Sequence, residues 1–297
     1  MTDAPWLNNR LKIASKTATD LATAYNGAKV WLVGALAEGL AHQHSDVDLL
    51  LITPESVPAP GSCIIHGIRV DVRAVPRSTV HTWRALLNEF TVTRDHIEVF
   101  RAVRARLSDL TLLRTARPLP HTPGQAAVLT PEQRATYQRW ALADRCEAAA
   151  SLAEDLIGLS QAGLYPHADL VWVQLARVVA QAETVAAGAA LLGEKWLPSL
   201  LSSNDTHPTP VPALPEPRWT SPDTHGVVFA PVQARLADAL LSLWPSDAEP
   251  EPVDTGLGDF GWLPQRYSDG WFLRRGEDRV PLTDRQMRAW PPARRTP

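Results

Sequence analysis

Cysteine is nearly absent from this 297-residue chain, with Cys63 and Cys146 as its two thiols. Two thiols build neither a disulfide framework nor a thiolate metal centre, and their scarcity suits a reducing compartment. Long apolar runs are missing as well. No stretch approaches the roughly 18–20 residues that a membrane-spanning helix needs, and residues 1–20 lack the charged-then-apolar plan of a signal peptide. The expectation is a cytoplasmic protein with no membrane partner. Positive charge is not in excess either: 29 Lys and Arg stand against 32 Asp and Glu, a formal net charge of -3. Generic nucleic-acid binding therefore has little electrostatic support, which argues against a template-reading polymerase. The chain also lacks a Gly-x4-Gly-Lys-Ser/Thr loop, a dinucleotide-type glycine fingerprint and a Gly-x-Ser-x-Gly elbow.

The chemistry that is present gathers in residues 29–52, KVWLVGALAEGLAHQHSDVDLLLI. Val30, Trp31, Leu32 and Val33 predict a strand and Gly34-Ala35 a turn. A short helical segment interrupted by Gly39 follows, then a second strand that carries Asp46 and Asp48. Val47, Leu49 and Leu51 alternate with Asp46, Asp48 and Leu50, so both carboxylates project from one face. Two residues along a strand rise about 6.6 Å. A pair of oxygen-ligand cations about 3.5–4 Å apart fits between these carboxylates and a third one.

Asp71 is the candidate for the third. Residues 63–65 and 68–72 flank His66-Gly67 in the pattern of a hairpin with a two-residue turn, and Asp71 then shares a face with Arg69 and Arg73. A carboxylate within an apolar strand is unfavourable unless paired or metal-bound. The alternatives are a salt bridge to one of these arginines or a place in a cation site with Asp46 and Asp48. His42 and His44 also precede Asp46, but no further nitrogen or sulfur ligand stands near them, and a zinc site is weakly supported.

An apolar strand, Gly plus a small residue, ten residues, then Asp-apolar-Asp-apolar resembles the signature of the DNA polymerase β-like nucleotidyltransferase superfamily. Gly34-Ala35 and Asp46-Val47-Asp48-Leu49 carry the resemblance, with Ser45, Gly39 and Asp71 in matching places. It is nearest to the small-molecule branch that includes antibiotic nucleotidyltransferases. Two departures are Ala35 where family members usually have Ser and Glu38 where many have Arg.

The resemblance implies an α/β (α+β) fold, a mixed sheet with helices, followed by an all-α C-terminal domain. It implies metal-dependent transfer of a nucleoside monophosphate from an NTP, with ATP as donor, to a hydroxyl of a small-molecule acceptor, pyrophosphate leaving. Asp46, Asp48 and Asp71 would be catalytic and would hold two Mg²⁺ ions, with Asp71 as ligand or as general base. Gly34, Ala35, Ser45 and Lys195 would bind the nucleotide, the backbone N–H groups at Gly34-Ala35 on its phosphates. Two rivals stand beside this reading: a non-catalytic nucleotide-sensing or protein-binding member of the fold, and nucleotidylation of a protein side chain.

Along the rest of the chain, helical spacing predicts helices over residues 9–25, 78–90 and 94–113. Residues 118–124 break the pattern, so a nucleotidyltransferase domain over 1–120 is expected to precede a helical domain over 125–245. Thr130, Pro131 and Gln133 predict a capped helix start, with that helix running to residue 161 or 162 and a second over 168–192 ending at Gly193. The prolines concentrate in this half of the chain, and residues 198–217 read as a long excursion. Helical spacing returns over 227–244. In 246–297, Trp262, Tyr267, Trp271 and Phe272 lie among arginines, which predicts a flap pinned to the core by its aromatics rather than a stacking surface for bases.

Overall fold

The computed structural model describes residues 4–58, 60–93, 98–119, 126–202, 225–252 and 261–290. It divides into two units, Met1–Glu89 with Ala105–Tyr137 and Phe90–Arg104 with Gln138–Pro297.

The first unit is a mixed five-stranded sheet layered with helices. Helix α1 (Pro5–Ala24) starts on Pro5, whose fixed φ suits the first helical position, so it begins earlier than the predicted residue 9. Strand β1 (Lys29–Val33) leads into a single helical turn, α2 (Gly34–Ala37), and Gly39 at φ +74 lets the chain turn away from it. Strand β2 is Val47–Thr53, so Asp46 stands one residue ahead of the strand rather than within it. Strands β3 (Gly61–Ile65) and β4 (Ile68–Pro76) form the predicted hairpin. His66 and Gly67 take φ of 50 and 76, the left-handed pair that a two-residue turn requires.

Helix α3 (Arg77–Ala85) follows β4, and α4 (Glu98–Thr115) leads to β5 (Arg117–Pro118), a two-residue strand not expected from the sequence. The sheet order is β3-β4-β2-β1-β5. β2 and β4 run parallel while the other neighbours are antiparallel. One face is sealed by α1: Ile13, Ala14 and Ala18 pack with Val30, Leu32, Val47, Leu49, Leu51, Val70 and Val72.

The second unit is built on α5 (Pro131–Gln161) from residue 138 onward, α6 (Tyr165–Ala186) and α8 (His225–Leu243), with a 3-10 turn at Glu194–Trp196 and the short α7 (Leu197–Ser202) between the last two. The capping box at the start of α5 forms as expected, Gln133 N donating to Thr130 Oγ1 at 3.2 Å and Thr130 N to Gln133 Oε1 at 3.3 Å. α6 ends earlier than the predicted residue 192, because Gly188 at φ +95 turns the chain before Gly193 is reached. Residues 198–202, expected in an excursion, are helical, and the rest of that excursion lies outside the described residues.

This unit is not helical throughout. Strands β6 (Leu263–Tyr267), β7 (Gly270–Arg275) and β8 (Asp278–Leu282) form an antiparallel meander, and α9 (Asp284–Ala289) follows with a capping box of Thr283 and Gln286. Trp262, Tyr267, Trp271 and Phe272 are buried in it. The meander is tied to α5 by Gln265 Nε2 donating to the Cys146 carbonyl at 2.9 Å and by Tyr267 Oη donating to Glu147 Oε1 at 2.6 Å. These four aromatics are therefore packing residues. Among the described residues no helix is long and apolar enough to cross a membrane.

Candidate functional site

The sheet brings the three predicted carboxylates together. β2 and β4 are in parallel register with Asp48 opposite Asp71, and Asp46 stands one residue before β2. Carboxylate oxygens of Asp46, Asp48 and Asp71 all lie within 4.8 Å of one another, with Asp46 exposed and the other two half-buried. Three like charges at this spacing repel in the absence of cations. An all-oxygen carboxylate set this close is the donor set that a hard divalent cation takes, and it offers a soft metal nothing.

Asp71 meets both alternatives read from the sequence. Arg69 Nε donates to its Oδ1 at 2.9 Å, and the Ser62 hydroxyl donates to the same oxygen. The Ser62 hydrogen bond and the Arg69 guanidinium hold Asp71 below the ordinary carboxylate range against the opposing effect of burial. Its carboxylate is therefore ionised at neutral pH, as a cation ligand must be. The guanidinium itself is drawn mainly by Asp71, and less by Asp46 and Asp48, which raises its pKa. One exposed arginine thus serves as counter-charge to all three. Arg73 turns elsewhere, pairing with Asp109 and lying 5.6 Å over the Trp83 ring.

Gly34 is fixed by its surroundings. Its φ is +70, and a Cβ there would stand 2.6 Å from Asp48 Oδ2. Only glycine permits both that backbone conformation and that closeness. The Gly34 N–H, expected on a phosphate, donates to Thr115 Oγ1 at 3.2 Å. Ala35 is half-buried in α2. Ser45 is buried, and its Oγ accepts the His42 N–H at 3.0 Å, which closes the turn ahead of Asp46. His42 Nδ1 accepts the His44 N–H at 3.1 Å, so the two histidines shape this turn. Lys195 belongs to the second unit, where its ammonium lies 5.0 Å over the Trp196 ring. Cys146 is no alternative nucleophile, since burial pushes its thiol pKa far up.

Sequence reasoning missed three contributors. Arg10, buried on the inner side of α1, donates from Nε to the Ser45 carbonyl at 2.7 Å and from Nη2 to the Gln43 carbonyl, holding the turn that presents Asp46. A signal did exist, because Arg10 stands three and four residues before Ile13 and Ala14 on the apolar face of the helix. Ser62 could have been found by counting back from the His66-Gly67 turn, which sets it opposite Asp71. Thr115 carries no signal of its own.

No curated protein sequence matches the chain. Among solved structures, a nucleotidyltransferase-like protein of Exiguobacterium sibiricum is similar at 15% identity and a TM-score of 0.39, over 78% of this chain and 76% of that one. Residues 14–107, the stretch that holds β1, β2, β4 and all three carboxylates, match the family model described as the nucleotidyltransferase domain.

Proposed function

We propose that the protein moves a nucleoside monophosphate from an NTP, with ATP as the donor, to a hydroxyl group of a small molecule, releasing pyrophosphate, as in the antibiotic-type branch of these enzymes. The observation that supports this most is the meeting of Asp46, Asp48 and Asp71 oxygens within 4.8 Å of one another. Two Mg²⁺ ions held by these carboxylates would neutralise the triphosphate and the departing pyrophosphate.

The remaining work falls to the chain. Gly34 clears the space that lets Asp48 approach the turn, and Arg10 with Ser45 holds Asp46 in place. Ser62 and Arg69 keep Asp71 charged and aimed. Ala35 supplies no hydroxyl to a phosphate, and Ala35→Ser should tighten NTP binding by about 1 kcal/mol, one hydrogen bond's worth. Lys195 is a further proposed phosphate contact. Calorimetry with a non-hydrolysable NTP tests the reading: binding should require Mg²⁺ or Mn²⁺ and vanish in the Asp46→Asn, Asp48→Asn double variant. Pyrophosphate release across candidate hydroxyl acceptors then identifies the substrate. Equal binding without metal would indicate a nucleotide-sensing module instead.

A further inference from the structure

Beside the carboxylates lies a cluster of opposite sign. Glu38, in the turn after α2, donates its N–H to the Gly34 carbonyl at 3.2 Å. One oxygen of its largely buried carboxylate, Oε1, faces two guanidiniums, Arg117 Nη2 at 3.3 Å and Arg114 Nη1 at 3.9 Å. Arg114 lies in the last turn of α4, and Arg117 opens β5 opposite Leu32 of β1. A third guanidinium, Arg134 from the start of α5, donates to the Arg114 carbonyl at 3.5 Å. Burial and the Arg114 charge lower the pKa of Arg134, Glu38 opposes them, and Arg117 adds to the depression.

Two guanidiniums thus face one carboxylate, and a third, that of Arg134, is held against the backbone of Arg114 beside them. That arrangement is unfavourable for a resting surface and favourable for a multiply charged anion, because guanidiniums bind phosphate oxygens through paired, charge-assisted hydrogen bonds. Its position relates it to the carboxylates. Thr115, between Arg114 and Arg117, takes the Gly34 N–H, while Asp48 occupies the space that a Cβ on the same glycine would need. Both clusters therefore border Gly34, the arginines through the intervening Thr115 and Asp48 through the space that a Cβ would need.

We infer that Arg114, Arg117 and Arg134 form a cradle for a polyphosphate chain, with Glu38 as the tie that holds the guanidiniums in position. Resting on the function proposed above, the cradle takes the pyrophosphoryl end of the NTP, the part that leaves, while the carboxylates serve the phosphate that is transferred. Positive groups aimed at a leaving group stabilise the charge that develops on it. The cradle also gives the site a preference for triphosphates over monophosphates.

Calorimetry with Mg²⁺ present and inorganic tripolyphosphate, ATP and AMP as probes tests this. Wild-type protein should bind tripolyphosphate. Arg117→Ala and Arg134→Ala should each weaken tripolyphosphate and ATP by about tenfold and leave AMP unchanged, the loss expected of one charge-assisted contact. Glu38→Gln, which keeps the Oε1 acceptor that positions the guanidiniums and removes only its competing charge, should tighten tripolyphosphate. Arg117 is more than half exposed at its side chain, so its substitution leaves the fold intact even if Arg134→Ala does not. Failure of the wild-type protein to bind tripolyphosphate, or unchanged affinity in Arg117→Ala, overturns the cradle. Metal-dependent ATP binding that needs Asp46 and Asp48 but ignores the arginines overturns the cradle alone. Polyphosphate binding that needs the arginines and ignores the carboxylates keeps the cradle and overturns the proposed reaction.

Discussion

The buried ion pairs of the second unit and the three carboxylates of the site in the first hold their charge differently. In the second, carboxylates are matched by arginines: Glu147 with Arg274, Glu183 with Arg235, Asp144 with Arg104 and Arg145. The Tyr267 hydroxyl adds a hydrogen bond to Glu147, and burial beside that carboxylate pushes the tyrosine pKa up, so it remains a donor. Such pairs resist change, because removal of one partner strands the other in a poor solvent. At the site in the first unit, Arg69, whose side chain is 60% exposed, is drawn by all three carboxylates. Charge there is separated by sign into neighbouring clusters instead of being cancelled within each. The comparison teaches that neutralised charge serves architecture, whereas charge left imbalanced marks where a ligand completes the structure.

The largest effect expected from that contrast is on turnover. Asp46→Asn with Asp48→Asn should lower the rate of pyrophosphate release by at least about 10³-fold, while the metal-free melting temperature holds or rises as like-charge repulsion is relieved. A fall in melting temperature with specific activity retained would show that these carboxylates are structural after all.

Arg274→Ala should act in the reverse sense. It leaves Glu147 buried without its arginine and should destabilise the protein by about 3 kcal/mol, read as a shift of the urea midpoint at constant slope. If the midpoint hardly moves, the second unit's ion pairs do not carry the weight given to them here.

Gly34→Ala comes next. A non-glycine residue at φ +70, with its Cβ 2.6 Å from Asp48 Oδ2, should lose about 1–2 kcal/mol. Addition of Asp48→Ala should restore the part that comes from the clash, and a double-variant cycle on chemical denaturation measures it.

Smallest is the effect of Asp71→Asn on the metal-free fold, a slight loss at pH 7 that closes at acid pH. Asp71 is held below its unfolded value, so its contribution to stability is present above the unfolded pKa of about 4 and disappears as pH falls through the folded one. Wild-type protein and variant should therefore differ in the pH dependence of unfolding only in that acid window. Divergence of the two curves between pH 6 and 8 would contradict the hydrogen bonds assigned to Ser62 and Arg69.

Much of the first unit is legible in the sequence because its signals are local. The alternation around Asp46 and Asp48, the Gly34 turn and the His66-Gly67 hairpin each depend on a few neighbouring residues, and together they determine which faces meet. Arg10 escapes such reading, since its acceptors lie 33 and 35 residues away. So does Thr115, at 81 residues from Gly34.

In the second unit the β-meander was missed for a different reason. Trp271, Phe272 and Leu273 are buried in succession, so β7 shows no alternation for a period-two pattern to find. The turn signals at Asp269-Gly270 and Gly276 were present, and read with the aromatics they indicate a sheet. The apolar residues 189–192 likewise extended the helical pattern of α6 past the glycine that ends it.

The buried arginine of α1 has a consequence for how the protein can be altered. Because Arg10 grips the carbonyls of Gln43 and Ser45, the N-terminal helix is mechanically coupled to the carboxylate that follows them, although no acidic residue of the site lies on it. A fusion, trimming or partner that unseats α1 would thus disarm the chemistry while much of the β-sheet could still hold, and silencing the protein would require no contact with its ligands.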